Sequence, residues 1–358
     1  MATLDGEPFS KSKSMELPRS VVLGHDAILE AGDVCARLKL GRRALLVADT
    51  NTMKVAGETV FAKLEERKIH VETFLIPDST IEAVLDARGV IRAKDCDFAL
   101  GVGGGKSIDV AKCASYEEAV HFVSVPTAAS HDGVVSSRAT ITKGGERVSL
   151  TAHTPIAVVM DTKIIAESPY RLLAAGCGDI ISNATAVRDW VLAHKLRNEF
   201  HSSYAAALSE MTANLLIQQA HHIKPRLEES AWTVCKALVS SGVAMSIAGS
   251  SRPASGSEHK FSHALDRIAK KPALHGEQCG VGTIMMMYLH GGDWEAIRNA
   301  LLTIGAPTTA HALGVTDEEV IEALVHAHEI APERYTVLGD SGLNFEAAEK
   351  LAKTTKVT

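Results

Sequence analysis

Three side chains from well-separated segments have the types that a catalytic metal site needs. Asp179 offers a carboxylate, and His259 and His275 offer two imidazoles, each within a glycine-containing segment. Two imidazole nitrogens and one carboxylate oxygen suit a borderline cation such as zinc, and three protein ligands leave a fourth position open for substrate. An open cation polarises a carbonyl group. Because the chain has 16 histidines, the alternative is that these residues only line helices or cap them.

A glycine-rich segment, FALGVGGGKSID, runs from an apolar strand into a helix at residues 98–109. Backbone amides without side chains, placed at a helix N-terminus, are suited to binding a phosphate group. The spacing matches neither the Walker A loop nor the G-x-G-x-x-G fingerprint, because Leu100 and Lys106 stand where those motifs need glycine. The segment therefore predicts a different phosphate-binding loop, and a plain strand-to-helix turn is the alternative.

The segment VSVPTAASHDGVVSS places small and hydroxyl-bearing residues around Asp132. It follows the next apolar run, so it is predicted to lie at the same end of the sheet as the glycine-rich loop. Thr127, Ser130 and Ser136 are then placed to bind a cofactor, and Asp132 is placed near a substrate hydroxyl. An ordinary Asx turn is the alternative.

Two further positions are candidates for a role in the site. Asp49 ends an apolar run, where a carboxylate commonly accepts hydrogen bonds from an adenosine ribose and repels a 2′-phosphate; a helix N-cap is the alternative. His263 follows His259 by four residues, which puts both rings on one face of a helix. Because Lys260 follows His259, the pair is not an HExxH motif, so the two histidines need not both be ligands, and one can bind a metal while the other binds substrate.

Size and composition indicate a globular protein with two domains. The chain of 38.1 kDa exceeds the size at which a single core usually stops growing. A net charge of -6 without a long Lys/Arg run argues against nucleic acid as a partner. The six cysteines form no CxxC pair and are expected to be buried thiols that bind no metal. No apolar run reaches the roughly 18 residues of a membrane helix, so we expect a cytoplasmic protein without membrane insertion.

The first half of the chain alternates apolar runs with helical patterns, which predicts a parallel sheet covered by helices on both faces. Strands are predicted at residues 44–48, 71–76, 98–102, 121–125 and 156–160, and helices at 55–67 and 81–93. A Gly-Gly pair between two alternating segments predicts a β-hairpin within residues 139–150.

Beyond about Pro169 the strand signals stop, and Ala/Leu-rich patterns of helical period follow. They include residues 204–221, 232–248 and 317–330. We therefore predict an α/β dinucleotide-binding domain over residues 1–166 and an all-helical metal- and substrate-binding domain over residues 167–358. The cleft between them is the expected ligand site.

With these motifs together, the chain resembles the sn-glycerol-1-phosphate dehydrogenases. They are the archaeal branch of the superfamily of iron-dependent alcohol dehydrogenases, glycerol dehydrogenases and dehydroquinate synthases. The motifs GVGGGKSID, VPTAASHDG, LAAGCGDIISN, SGSEHKFSHALD and ALHGEQCGVGT stand in the family's order and cover nearly the whole chain. The resemblance implies an α/β N-terminal Rossmann-like parallel-sheet domain and an all-α C-terminal domain.

The resemblance also implies residue roles. Asp179, His259 and His275 would bind one Zn²⁺, with Fe²⁺ as the alternative, and Asp132, Asp179 and His263 would be catalytic. The residues implied to bind NADH or NADPH are Gly105, Lys106, Ser107, Ile108, Asp109, Thr127, Ala128, Ala129, Ser130 and Ser136. The sequence patterns described above add Asp49, Gly103 and Gly104 to this set. One departure concerns the substrate pocket: family members often have an apolar residue after SEH, where this chain has Lys260.

The implied reaction is the NAD(P)H-dependent reduction of dihydroxyacetone phosphate to sn-glycerol 1-phosphate for archaeal ether phospholipids. The hypothesis is that the metal polarises the C2 carbonyl for attack by hydride, while His263 relays a proton or orients the terminal hydroxyl. Lys260 and Arg138 are candidates for the substrate phosphate, and Asp49 predicts some preference for NADH. We also expect a homo-oligomer, a dimer or an octamer.

Three alternatives stay open on the sequence. The first is a glycerol or other polyol dehydrogenase that acts on an unphosphorylated substrate. The second is a dehydroquinate synthase-like lyase, which would need more basic pocket residues than the glycine-rich segments provide. The third is a nucleotide-sensing protein that has lost the chemistry, for which a missing metal ligand would be the expected mark.

Overall fold

The computed structural model describes residues 14–358. The strands among these residues are β1 Ser20–Gly24, β2 Arg43–Ala48, β3 His70–Leu75, β4 Phe98–Gly103, β5 His121–Pro126, β6 Arg138–Lys143, β7 Glu146–Thr151 and β8 Ala157–Asp161. Six of them form one sheet in the order β1-β8-β5-β4-β2-β3, and every pair in it is parallel. The predicted parallel sheet is therefore confirmed.

The α-helices of the described residues cover the sheet and then form the second half of the chain. They are α1 Ala31–Arg37, α2 Thr50–Thr52, α3 Glu58–Glu66, α4 Ile81–Ala93, α5 Gly105–Glu117, α6 Thr162–Glu167, α7 Tyr170–Arg197, α8 Ser203–Gln218, α9 Glu228–Ala248, α10 Ser257–Ile268, α11 His275–Leu289, α12 Trp294–Ile304, α13 Ala310–Leu313, α14 Asp317–His326 and α15 Phe345–Thr354. A π-helical stretch, Met53–Gly57, joins α2 to α3.

Burial follows position in the sheet. All six residues of the central strand β4 are buried, whereas the edge strands β1 and β3 are largely half-buried or exposed. Each of the five predicted strands lies within one residue of an observed strand. The structure adds β1, which pairs with β8 at one edge.

The hairpin predicted within residues 139–150 is also confirmed. Strands β6 and β7 are antiparallel, and the two residues between them, Gly144 and Gly145, have φ of 60° and 86°. Positive φ at both central residues is the requirement of the commonest two-residue hairpin turn, and glycine meets it without strain.

No strand follows Asp161 in the part of the chain that the structure describes, as predicted. The 28-residue helix α7 lies at the centre of the helical half and packs against α8, α10 and α11. The predicted boundary between residues 166 and 167 falls inside α6. One hydrophobic cluster contains side chains from both halves, including Leu45 of β2 and Ile284 of α11, so the two halves share a core.

One helix, α9, is long and apolar enough to cross a membrane by length and composition. In its most apolar window, however, 56% of the residues are buried inside the protein. It packs against α6, α7 and α8, which is the environment of a core helix. All six cysteines are buried and free, as the sequence predicts.

Candidate metal centre and coenzyme loop

The structure brings together the three predicted metal residues. Asp179 lies within α7, His259 is the third residue of α10, and His275 is the first residue of α11. The Nε2 atoms of His259 and His275 lie 3.8 Å and 3.7 Å from Oδ1 of Asp179. The two imidazole ring centres are 4.9 Å apart. One carboxylate oxygen therefore faces two imidazole nitrogens.

The two oxygens of Asp179 differ in their partners. Oδ2 accepts a hydrogen bond of 2.8 Å from the backbone N–H of Asp132, whereas Oδ1 is buried without a hydrogen-bond partner. Zinc bonds of about 2.0–2.2 Å at tetrahedral angles put neighbouring ligand atoms roughly 3.4 Å apart, close to the observed separations. A cation would supply the partner that Oδ1 lacks. The residues present therefore fit a divalent metal.

Close packing of two helices fixes this arrangement. A Cβ atom at Gly276 would collide with the carbonyl oxygen of Ala175, and one at Gly178 would collide with the carbonyl oxygen of Gly276. The backbones of α7 and α11 therefore touch, which only glycine permits at both positions. Asp179 and His275 are the neighbours of these glycines in the chain, so the contact holds the two side chains opposite each other.

Each imidazole has a hydrogen-bond partner on its far side. Nδ1 of His259 lies 2.9 Å from Oε1 of the buried Glu258, and Nδ1 of His275 lies 3.2 Å from Oγ of Ser262. If each Nδ1–H donates to its partner, each Nε2 has a free lone pair that points towards Asp179. The carboxylate of Glu258 can only accept, so in neutral His259 it favours the tautomer that leaves Nε2 free for a metal.

Burial controls the protonation of the three candidate ligands. It raises the pKa of Asp179 to about 7, with a further contribution from the nearby Asp132. Burial alone would lower the pKa of His259, but Cys279 and Glu258 carry it well above its ordinary value. Burial and the neighbouring histidines hold the pKa of His275 well below its usual range. Metal binding requires neutral imidazoles and an ionised carboxylate, so it would release the protons that this site otherwise holds.

Cys279 is a fourth group that the sequence prediction missed. It lies one turn after His275 on α11, and its Sγ is 3.6 Å from Nε2 of His275. The potential ligand atoms of Asp179, His259, His275 and Cys279 all lie within 4.8 Å of one another. The sequence prediction, which considered only clusters of cysteines, did not place this single thiol beside the candidate ligands. The signal was the i, i+4 spacing from His275, which puts both side chains on one helix face.

Asp132 lies beside the metal centre in a short 3-10 turn, Asp132–Val134. Its N–H binds Asp179, and its Oδ2 accepts a hydrogen bond of 2.7 Å from the hydroxyl of Ser241 on α9. Burial raises the pKa of Asp132. The loop that carries Asp132 lies directly on α7, because a Cβ at Gly176 would collide with the carbonyl oxygen of Ala129.

The glycine-rich loop lies at the carboxyl ends of the strands. Gly103 ends β4 with a φ of 150°, Gly104 is the N-cap of α5, and no side chain caps this helix. A Cβ at Gly104 would meet no atom within 4 Å, so open space lies in front of the helix N-terminus. The N–H of Thr127 donates to the carbonyl oxygen of Gly103 over 2.9 Å and ties this loop to the loop after β5.

Several predicted coenzyme residues have contacts within the protein. Oδ1 of Asp49 accepts the amides of Asn51 and Thr52, both over 2.8 Å, so Asp49 is a helix N-cap. Oδ2 of Asp109 accepts the N–H of Thr140 over 2.9 Å, which turns this carboxylate towards the hairpin. Lys106 forms an ion pair of 3.0 Å with Asp78, and Oγ of Ser136 accepts a weak hydrogen bond of 3.3 Å from the backbone N–H of Arg138. Ser130 is half-buried, and four other predicted residues are buried, namely Ser107, Ile108, Ala128 and Ala129.

His131 connects the coenzyme loop with the metal centre, and sequence reasoning missed it. A Cβ at Gly105 would collide with Nε2 of His131, so glycine at the start of α5 makes room for this ring. The ring lines a small cavity together with Asp132, His259 and His275. Burial lowers the pKa of His131, despite nearby carboxylates that raise it. The one sequence signal for His131 was its position next to Asp132 in the SHDG segment.

A cavity of about 840 Å³ opens beside the metal centre. His259 and His263 line it, and burial lowers the pKa of His263 to about 4, so this imidazole is neutral at physiological pH. The cationic residues that line the cavity are Arg138, Arg147, Arg252, Lys260, Arg267, Lys270 and Arg334, against the acidic Glu146, Asp266 and Glu333. This excess of positive charge suits an anionic ligand.

Comparison with known proteins places these features in a family. The model of the iron-containing alcohol dehydrogenase family matches residues 22–169. The chain is 58% identical to the glycerol-1-phosphate dehydrogenase (NAD(P)+) of Methanosarcina mazei over 348 residues, which cover 97% of this chain and 98% of the relative. It is 55% identical to the enzyme of the same name from Methanothermobacter thermautotrophicus, over 96% of this chain and 99% of the relative.

Solved structures share the fold at lower identity. A probable glycerol dehydrogenase from Sinorhizobium meliloti superposes with a TM-score of 0.78 at 21% identity, over 96% of this chain and 98% of that one. A sulfoacetaldehyde reductase from Bifidobacterium kashiwanohense, solved in complex with NAD+, gives 0.77 at 17% identity, over 98% of this chain and 100% of that one. These similarities establish the architecture.

Proposed function

The chain belongs to the glycerol-1-phosphate dehydrogenase family of oxidoreductases, and we propose that it reduces dihydroxyacetone phosphate to sn-glycerol 1-phosphate with NADH or NADPH. This step would supply the glycerol unit of archaeal ether phospholipids. The observation that carries the proposal is the unpartnered Oδ1 of Asp179, which faces two imidazoles beside a cavity lined by cations. The cluster suits a Lewis-acidic metal, and the cavity suits a phosphorylated substrate.

We assign the metal to Asp179, His259 and His275. When bound, the metal would polarise the substrate carbonyl, and the reduced nicotinamide would supply the hydride. The amide of Asp132 holds Asp179 with its free oxygen towards the two imidazoles.

His263 is our candidate for the group that moves or orients a proton on the substrate. Its ring centre lies 5.6 Å from that of His275, and its side chain lines both cavities. Because it is neutral, one ring nitrogen accepts a hydrogen bond and the other donates one. It can therefore orient a terminal hydroxyl or relay the proton that the product needs. The buried carboxyl of Asp132 is the second candidate to contact a substrate hydroxyl.

Lys260 and Arg334 are our candidates for the phosphate group. Three of the other four arginines of the cavity wall have partners, since Arg252 binds Glu199, Arg147 lies 3.8 Å from Asp266 and Arg138 binds Ser149. The fourth, Arg267, is exposed. Lys260 and Arg334 form no ion pair with any residue that the structure describes. Burial, together with the nearby Arg252, lowers the pKa of Lys260 to about 8.

Zinc is our proposal for the metal, because Cys279 brings sulfur close to the cluster and soft ligands favour zinc over oxygen-preferring cations. For the coenzyme, we propose that Gly103–Gly105 and residues 127–130 contact the dinucleotide. Asp49, Gly103 and Thr127 end or follow three adjacent strands, β2, β4 and β5, which is where dinucleotides bind in open α/β sheets. Lys106–Asp109 and Ser136 remain proposed neighbours of the coenzyme.

The remaining assignments concern the whole molecule. We propose an α/β coenzyme domain before residue 167 and a metal and substrate domain after it. We further propose a cytoplasmic homo-oligomer, a dimer or an octamer. Exposed apolar side chains on α8, among them Tyr204, Met211 and Leu215, support association between copies. Light scattering of the purified protein measures the oligomeric state directly.

A four-way assay tests the proposed function. Each of NADH and NADPH is offered with dihydroxyacetone phosphate and with free dihydroxyacetone, and the loss of absorbance at 340 nm is followed after metal analysis of the protein. We expect a kcat/KM for the phosphate ester that is far above that for the free ketone. Equal efficiency on the two substrates would contradict phosphate recognition and favour a polyol dehydrogenase, which the full-length relatives and the cationic cavity disfavour.

A further inference from the structure

The two histidines of the metal centre are supported in different ways. His275 is backed by the hydroxyl of Ser262, a neutral group, over 3.2 Å. His259 is backed by the carboxylate of Glu258 over 2.9 Å. Both contacts are made at Nδ1, so the rings differ mainly in the charge of the group behind them. One imidazole of the centre therefore has a charged partner and the other has a neutral one.

Glu258 has no exposed surface, and its contacts hold it firmly. Oε1 accepts the N–H of Gly256 over 2.6 Å as well as the contact from His259, and Oε2 is 2.7 Å from the hydroxyl of Thr185 on α7. Donors on both oxygens are what an ionised carboxylate requires. A buried charge is costly unless other charges or hydrogen bonds compensate it. A protonated His259 compensates this charge when no metal is bound, and a cation held by neutral His259 would do so in the metal-bound protein.

We propose that Glu258 is a positioning residue that sets the metal affinity of the centre through His259. The proposal rests on the metal site of the proposed function. Together with Asp179, Glu258 brings two negative charges to the centre, which a divalent cation would balance. A carboxylate behind a ligating imidazole also fixes its tautomer and raises its basicity. Ser262 can fix the tautomer of His275 but adds no charge.

The substitution E258Q isolates the charge from the packing. The carbonyl oxygen of glutamine can accept from Gly256 and from His259, as Oε1 of Glu258 does. Its amide group can donate to Oγ of Thr185, because the Thr185 hydroxyl has a second acceptor, the carbonyl oxygen of Ser182, at 3.0 Å. All hydrogen bonds are thus kept while one negative charge is removed.

The experiment measures zinc affinity by competition with a chromogenic chelator, on full-length protein, for the wild type, E258Q and S262A. We expect E258Q to bind zinc about 10–100-fold more weakly, the usual cost of losing a partner behind a metal ligand. S262A, the matched control on the other imidazole, should lose about fivefold or less, because a single neutral hydrogen bond contributes little. The visible spectrum of the cobalt-substituted protein should shift in E258Q.

Two results would overturn the proposal. One is an affinity of E258Q within about twofold of the wild type, well below the loss expected for such a partner. The other is an equal loss in S262A. A double-mutant cycle with S262A adds a further check, because the two substitutions act behind different imidazoles and their losses of zinc affinity should add if E258Q acts through His259. A combined loss well below that sum would contradict the route through this imidazole.

Further measurements keep these outcomes interpretable. If E258Q does not fold, E258D shortens the side chain and withdraws the carboxylate from Nδ1 of His259, and an unchanged zinc affinity in E258D then contradicts the proposal. A wild type that binds no stoichiometric zinc would contradict the proposed metal site itself. Normal zinc in the wild type with unchanged affinity in E258Q would contradict only the role of Glu258.

Discussion

The sheet side of the site presents mainly backbone groups, whereas the helical side presents mainly side chains. On the sheet side, the coenzyme loop presents backbone amides around Gly103, Gly104 and Gly105, with open space in front of α5. On the helical side, side chains from α7, α10 and α11 converge on one point. The loop should therefore be sensitive to added atoms, and the metal centre to the loss of a donor. Each side can be disturbed while the other stays intact.

Asp179→Asn should have the largest effect. The asparagine carbonyl can still accept the N–H of Asp132, but its amide group would face the imidazoles and cannot bind a cation. We expect zinc binding to be lost and kcat/KM to fall by about a thousandfold or more, since Lewis-acid help is worth several kcal/mol. Coenzyme affinity, measured by fluorescence titration, should change little. The variant should melt at or above the temperature of the metal-free wild type, because a buried carboxyl is removed.

Gly104→Ala tests the sheet side. The added methyl group enters the open space in front of α5, where we propose the coenzyme phosphates. Coenzyme KM should rise about 10-fold or more, as expected when a hydrogen bond to a charged group is lost. Zinc affinity should stay at the wild-type value. Gly89→Ala on α4, where a Cβ also meets no atom within 4 Å, is the matched control and should leave both properties unchanged. An unaffected coenzyme KM in G104A would remove the loop from the coenzyme site.

Lys260→Met tests substrate recognition within the cavity. The long apolar side chain keeps most of the packing and removes the charge. We expect the KM for dihydroxyacetone phosphate to rise about tenfold, with little change for free dihydroxyacetone. Lys270→Met, at a more exposed cation of the same cavity, is the control and should have a smaller effect. Equal changes for both substrates would indicate a role for Lys260 other than phosphate binding.

Asp49→Asn should have the smallest effect. Asparagine is as good an N-cap as aspartate, so the helix start at Thr50 should keep its stability. Only the charge next to the proposed ribose site is lost. The ratio of kcat/KM for NADPH to that for NADH should rise by about threefold, as expected for a single exposed charge. An unchanged ratio would leave Asp49 with the capping role alone.

The positions of the strands could be predicted from the sequence wherever the hydrophobic pattern is strong. Buried strands such as FALGVG are apolar throughout, so their positions could be predicted to within a residue. Strand β1 was missed because it is short, lies at an edge, and has four half-buried residues and one exposed residue among its five. Its partner β8 is more than 130 residues away in the chain, and no local pattern reveals such a pairing.

In the candidate site, the residues with the most distinctive chemistry were found, and those that act through packing were not. Asp179, His259 and His275 were predicted to lie together, and they do. His131, Glu258 and Cys279 were missed, because their positions depend on how helices and loops cross. Asp49 shows the converse limit: a carboxylate at a strand end fits two roles, and only the structure showed that it caps a helix.

The hydrogen bond from the Asp132 amide to Asp179 joins the loop after β5 to the metal centre. A ligand that orders this loop would therefore also restrict the motion of the Asp179 carboxylate, which is one of the candidate metal ligands. Thermodynamic linkage then demands reciprocity: if the coenzyme tightens metal retention by some factor, the metal must tighten coenzyme retention by that same factor. Loss of either one would then weaken the hold of the protein on the other.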